Sequence, residues 1–113
     1  MNIINLTPHA IVVRQSDGTD LTIPPSGTVA RVSSAPGVVV GALAGVPVMG
    51  ARTWGDVVGL PAPQPGTTFI VSGIVLARCA GRADVIAPAT GPADGAVRDA
   101  DGRIVAVTRF VSA

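Results

Sequence analysis

Few side chains in this sequence could do chemistry. His9 is the only histidine and Cys79 the only cysteine, and there is no Glu, Tyr or Lys. The remaining titratable set is seven Asp and eight Arg. A hydrolase triad or a histidine-rich metal site has little to build on. No glycine-rich phosphate loop of the P-loop or dinucleotide type is present. Asp94, Asp99 and Asp101 lie close together, but two of them bracket a turn, which explains them without a metal. Cys79 follows the apolar run Ile74-Val75-Leu76-Ala77, which suits a buried thiol rather than a nucleophile. We therefore expect no catalytic residue, no metal and no cofactor.

Binding remains, and three places offer groups for it. Asn5, Thr7 and His9 surround Pro8 and could present hydrogen-bonding groups on a rigid bend; equally, Pro8 ends a strand and His9 pads its edge. Ser72 and Gly73 open a helix whose free amides suit a phosphate, and Arg82 follows one helix length later. Arg82 could lie over that phosphate with Asp84 orienting its guanidinium, or the two could form an ion pair tying a loop to the sheet. Arg52 near Trp54, and Arg98 and Arg109 with Phe110, place cations beside aromatics, as a base-and-phosphate site needs. Any strand with one apolar face shows the same spacing.

The elements that must position these groups are short. Ile3–Leu6, His9–Arg14, Asp20–Ile23 and Thr28–Ser33 read as strands, the second and third joined by Ser16-Asp17-Gly18, a hairpin signal. Residues 34–66 are the least regular. Strands are expected at 38–40, 46–49 and 52–58, with Pro47 confined to an edge or bulge and an interruption at Gly55. A stiff proline-rich connection follows at 60–66. Thr67–Val71 reads as a central strand and Asp84–Pro88 as another. Between them, Ser72 as N-cap and Gly81 as C′ residue bracket a helix over 73–80. A second hairpin turns at Ala100-Asp101-Gly102.

Composition agrees with this pattern. The 113 residues are 48% hydrophobic and only 13% charged, so general disorder is excluded. Lacking Lys and Glu, the chain tilts toward strands and turns. The expected fold is α+β, mostly β: one antiparallel-dominated domain over 1–113, with five to eight strands and one short helix. A net charge of +1 argues against a duplex nucleic-acid binder. One cysteine gives no support for an oxidising compartment. No stretch reaches eighteen apolar residues, and the first residues do not read as a signal peptide, so the expectation is a cytoplasmic protein without a membrane span. Little charge is available to cover the surface, so a homo-oligomer is expected, through edge pairing or the apolar 37–49 region.

Six fragments together carry a resemblance. They are Ile4-Asn5-Leu6-Thr7-Pro8-His9, Pro25–Val32, Gly59-Leu60-Pro61, Gly66–Ser72, Gly81-Arg82-Ala83-Asp84-Val85, and Ala96–Asp99 with Gly102-Arg103-Ile104. In this order the chain resembles a family of small proteins encoded by phages and prophages, covering nearly its whole length. The resemblance implies a role in infection, in the host cytoplasm. The role expected first is that of a sponge, a small β-rich oligomer that sequesters a nucleotide-derived host immune signal, such as a cyclic nucleotide or a cyclic ADP-ribose-like molecule, without turnover. The other is a structural or assembly role in the virion, or inhibition of a host factor by protein contact. A sponge requires a cavity lined for an anion. An assembly protein requires a broad apolar contact face and no pocket.

Overall fold

A computed structural model describes residues 2–113. Twelve short strands and one helical turn follow the chain in the order β1 (Asn2–Asn5), β2 (Ile11–Arg14), β3 (Asp20–Ile23), β4 (Arg31–Ala35), β5 (Val39–Leu43), β6 (Val46–Met49), β7 (Thr53–Val58), β8 (Thr67–Ile70), α1 (Gly73–Leu76), β9 (Val85–Pro88), β10 (Val97–Arg98), β11 (Ile104–Ala106) and β12 (Phe110–Ser112). The fold is mostly β with one short helix, as composition and turn chemistry predict. The strands outnumber the expected five to eight because the irregular 34–66 stretch folds entirely into paired strands and the last hairpin is cut into short pieces.

The body is built on a four-stranded sheet ordered β1-β8-β9-β12. The central strand β8 runs parallel to both neighbours: Asn2 pairs Thr67 through to Asn5 with Ile70, and Phe69 pairs Val85. A parallel step from β8 to β9 needs a crossover, and α1 supplies it. The remaining strand pairs are antiparallel, including β9 with β12, and a single parallel bridge joins Val13 to Val107. The centre of the sheet is deeply covered: Phe69, Ile70 and Val71 are wholly buried with Val85 and Ala87. Leu6, Ala30, Val75, Leu76 and Cys79 pack on one side of it. Ile11, Ile23 and Val107, with half-buried Phe110, pack around Ile70.

Both expected hairpins form. Gly18 takes φ +86° between β2 and β3, and Gly102 takes φ +82° between β10 and β11, the left-handed geometry such turns demand. The helix starts where its cap places it, with the Val75 N–H donating to the Ser72 hydroxyl at 3.4 Å. It is α-helical only to Leu76, short of the predicted 80. Arg78 and Cys79 donate to carbonyls three residues back rather than four, so the chain tightens into 3₁₀-like turns. That tightening accompanies the burial of Cys79, whose Sγ lies 3.1 Å from the Val75 carbonyl, while Ile74 is left 61% exposed.

The rest of the chain leaves the body. β4 pairs β7 and, nested within them, β5 pairs β6, making one two-stranded ribbon from Arg31 and Val58 to the turn at Ala44-Gly45. Gly55 lies within β7 rather than interrupting it, and a side chain there would strike the Ser33 hydroxyl. At the base, Val32, Val57 and Leu60 rest on the core and the Arg78 guanidinium sits 4.6 Å from the centre of the Trp54 ring. Beyond the base every residue of β5 and β6 is exposed. The radius of gyration is 17.1 Å, against roughly 13 Å for a compact chain of this length.

Candidate functional site

The end of β1 is a polar knot. Asn5 is buried, and its Nδ2 donates to the His9 carbonyl at 2.9 Å and the Ile23 carbonyl at 3.2 Å. Its Oδ1 accepts from the Thr7 N–H at 2.9 Å and lies 2.6 Å from the Thr7 hydroxyl. That hydroxyl is also 3.0 Å from the His9 carbonyl. The hydrogen-bonding capacity of Asn5 is thus spent inside the protein, closing the 5–9 bend onto β3. The His9 side chain is exposed.

Beside this bend lies an open groove of about 310 Å³. Its walls are mainly apolar, from Leu6, Val29, Val32 and Ile74, with Thr7, Ser72 and Arg31 as the polar contributors. It unites two of the sequence-predicted positions, Thr7 and Ser72. It adds Arg31, which the alternation of Thr28–Ser33 assigned only to a water-facing strand position. A second groove of about 170 Å³ is lined by Ile11, Val12, Pro88 and Ile104–Val107 and presents no ionisable group.

The other predicted residues lie elsewhere and do not converge. The Arg82 Nε and Nη2 reach the two carboxylate oxygens of Asp84 at 2.8 and 2.9 Å, a bidentate pair, and Nη2 also donates to the Pro61 carbonyl at 3.0 Å. This is the ion-pair arrangement that ties the proline-rich connection to the loop after α1. The hydrogen bonds from Arg82 hold the Asp84 carboxyl below its usual pKa. Arg52 donates to the Ser34 hydroxyl across the ribbon at 3.2 Å, leaving the Trp54 face to Arg78. Arg98 donates to the Gly102 carbonyl at 2.8 Å within its own hairpin. Arg109 is exposed just before β12, and its neighbour Phe110 packs into the core, not into a binding platform. Gly73 is exposed at the start of α1.

The chemistry of this arrangement is modest. Among the described residues no three His, Cys, Asp or Glu side chains cluster to hold a metal. Burial raises the Cys79 thiol pKa, which disfavours the thiolate. Asp94 accepts from the Gly91 N–H at 2.7 Å, and Asp99 from the Asp101 and Arg103 amides, so these carboxylates serve turns. No described helix is long and apolar enough to cross a membrane.

The largest chemical anomaly lies on the ribbon. From Ala35 to Ala51 there is no side chain that can carry a charge or donate a hydrogen bond. Every residue of β5 and β6 is exposed, on both faces. Val38 is 77%, Leu43 74% and Val46 63% exposed. Comparison with protein-family models, curated proteins and solved structures finds no match for the chain.

Proposed function

We propose that the chain is a non-catalytic assembly protein of the phage type it resembles, working through protein contact made by the β4–β7 ribbon. The observation that carries this reading is the seventeen-residue segment from Ala35 to Ala51, apolar throughout and bare on both faces. An exposed apolar surface of this kind is a contact surface or an aggregation hazard, and a chain that stays folded must have it covered. The test is complementation in a phage carrying this gene. Replacing residues 36–52 by Asn-Gly would close Ala35 onto Thr53 in a two-residue hairpin and leave the body intact. The shortened chain should fold and fail to complement. Full complementation by the shortened chain would overturn the reading.

Capture of a nucleotide-derived signal is the second reading, favoured by the groove that brings Arg31, Thr7 and Ser72 together. Arg31 would fork a phosphate, and Leu6, Val29, Val32 and Ile74 would wall a base, with equilibrium binding and no turnover. It ranks second because that groove has a single cation, and Arg82 already spends its fork on Asp84. Calorimetry of the parent and of Arg31→Ala against cyclic oligonucleotides and cyclic ADP-ribose-like molecules tests it. Binding that Arg31→Ala weakens tenfold or more supports capture; no binding by the parent removes it.

A further inference from the structure

We propose that the occupant of the β5–β6 ribbon is a second copy of this chain, forming a closed assembly rather than a fibre. The inference rests on the reading of the ribbon as a contact arm and goes on to name its partner.

Four observations carry it. The first is area. Val38, Val39, Val40, Leu43, Val46, Val48 and Met49 are between 44% and 77% exposed. Together they offer roughly 700 Å², close to the ~800 Å² per partner of a standard-size interface and above the largest patch of a typical monomer.

The second is composition. A partner met only at times is recognised through polar and charged groups, because its binding surface must also face water. This ribbon has none. It resembles the obligate interface, which is apolar like a core and is covered as soon as the chain folds. The partner always present in equal amount is the chain itself.

The third is the turn. Leu43 and Val46 close a two-residue loop in which Ala44 has φ +52° and Gly45 φ +80°. The first of these positions favours Asn, Asp or Gly. Alanine there bears a left-handed backbone that its side chain does not favour, and the tip keeps its apolar character.

The fourth concerns the edges. Leu43↔Val46 closes the loop as a hydrogen-bonded pair, so Ala42↔Pro47 is the next, non-hydrogen-bonded pair, whose backbone groups point outward. Pro47 has no N–H to offer there. On the other edge the register shifts between Val39 and Gly41, leaving Val40 as a bulge. Both edges are thereby blunted against endless strand addition, while both faces stay bare. The unpaired edge carbonyls also disfavour a lipid occupant, since open sheet edges are not tolerated in hydrocarbon.

Sedimentation velocity on the full chain tests this, over a concentration series and at low and high salt. The parent should sediment as one discrete species of at least twice 11.2 kDa, constant with concentration and indifferent to salt. Val46→Asp places a charge on a side chain that is 63% exposed in the single copy, so it should sediment at the single-chain mass with an unchanged circular dichroism spectrum. Ile74→Asp, an equally exposed apolar site on α1, should associate like the parent. A monomeric parent, or a Val46→Asp variant that associates like the parent, overturns the inference. If the parent is monomeric yet the ribbon is required for complementation, only the second-copy assignment falls. If the monomeric parent floats with vesicles of neutral phosphatidylcholine, the occupant is lipid and the inference is wrong. If the ribbon is dispensable for complementation, the contact-arm reading falls with it.

Discussion

Asn5 separates a structural residue from a ligand residue, and its loss has a calculable cost. Asn5→Ala removes the donor to the Ile23 carbonyl, the donor to the His9 carbonyl and the acceptor of the Thr7 N–H. Each internal hydrogen bond contributes about 1 kcal/mol net, and a buried group left unpaired costs about 1–3 kcal/mol. The Ile23 carbonyl belongs to a residue only 9% exposed, whereas His9 and Thr7 have access to water. The loss should therefore total about 2–4 kcal/mol, a large part of a stability of roughly 5–15 kcal/mol. For a chain of 113 residues that lowers Tm by about 8–16 °C. Thr7→Val should cost about 1 kcal/mol, and the double variant less than the sum, because the two side chains share a hydrogen bond. Urea unfolding followed by circular dichroism measures all three. A loss below about 0.5 kcal/mol for Asn5→Ala would refute the structural assignment and return Asn5 to the ligand candidates.

Further outcomes follow from the same structure. Phe69→Ala empties a fully buried position on the central strand and should cost about 3–5 kcal/mol, read from the urea midpoint. Because the Asp84 carboxyl titrates lower in the folded than in the unfolded chain, its pair with Arg82 stabilises above the unfolded carboxylate pKa and is lost as pH falls through the folded value. Asp84→Asn should thus narrow the stability gap between neutral pH and acid, and Arg82→Ala should raise hydrogen exchange over residues 60–66. Cys79 should react with a thiol reagent only as fast as the native structure opens, so urea at the unfolding midpoint should raise the rate steeply. Ala44→Asn should stabilise the ribbon turn by up to about 1 kcal/mol, seen as slower amide exchange at its tip.

The elements of the body were legible in its punctuation. Gly18 and Gly102 mark hairpins because their left-handed φ has few other occupants, and Ser72 marks the start of α1 because its hydroxyl can take an orphan amide. The parallel centre of the sheet departs from the mostly antiparallel domain expected, and its physical reason is the order Thr67–Val71, helix, Asp84–Pro88, in which the helix carries the chain back to a parallel start. The last turns of the helix were not legible, since Val75, Leu76 and Cys79 all seek the core and the backbone tightens to deliver them. Strands within 34–66 were visible as apolar runs. Their nesting was not, because a ribbon apolar on both faces carries no alternation to set its register. The groove shows a similar division: Thr7 and Ser72 stood out by type, whereas Arg31 became a lining residue only through the approach of β4 to α1. The spacing of Arg82 and Asp84 offered both a phosphate site and an ion pair, and the structure forms the pair, whereas Arg98 and Arg109 were selected for a nearby aromatic and nothing in the spacing showed that Arg98 is spent on the Gly102 carbonyl.

The central claim is that the ribbon is a covered contact arm, and amide hydrogen exchange over residues 38–50 measures cover directly. A two-stranded ribbon standing alone in water is marginal, and its amides would exchange within seconds. In the native protein at micromolar concentration the amides bonded across the ribbon should instead be protected to the level of β8, and dilution toward dissociation or the Val46→Asp substitution should release them while β8 stays protected. Fast exchange across 38–50 at every concentration, with β8 protected, would contradict the account.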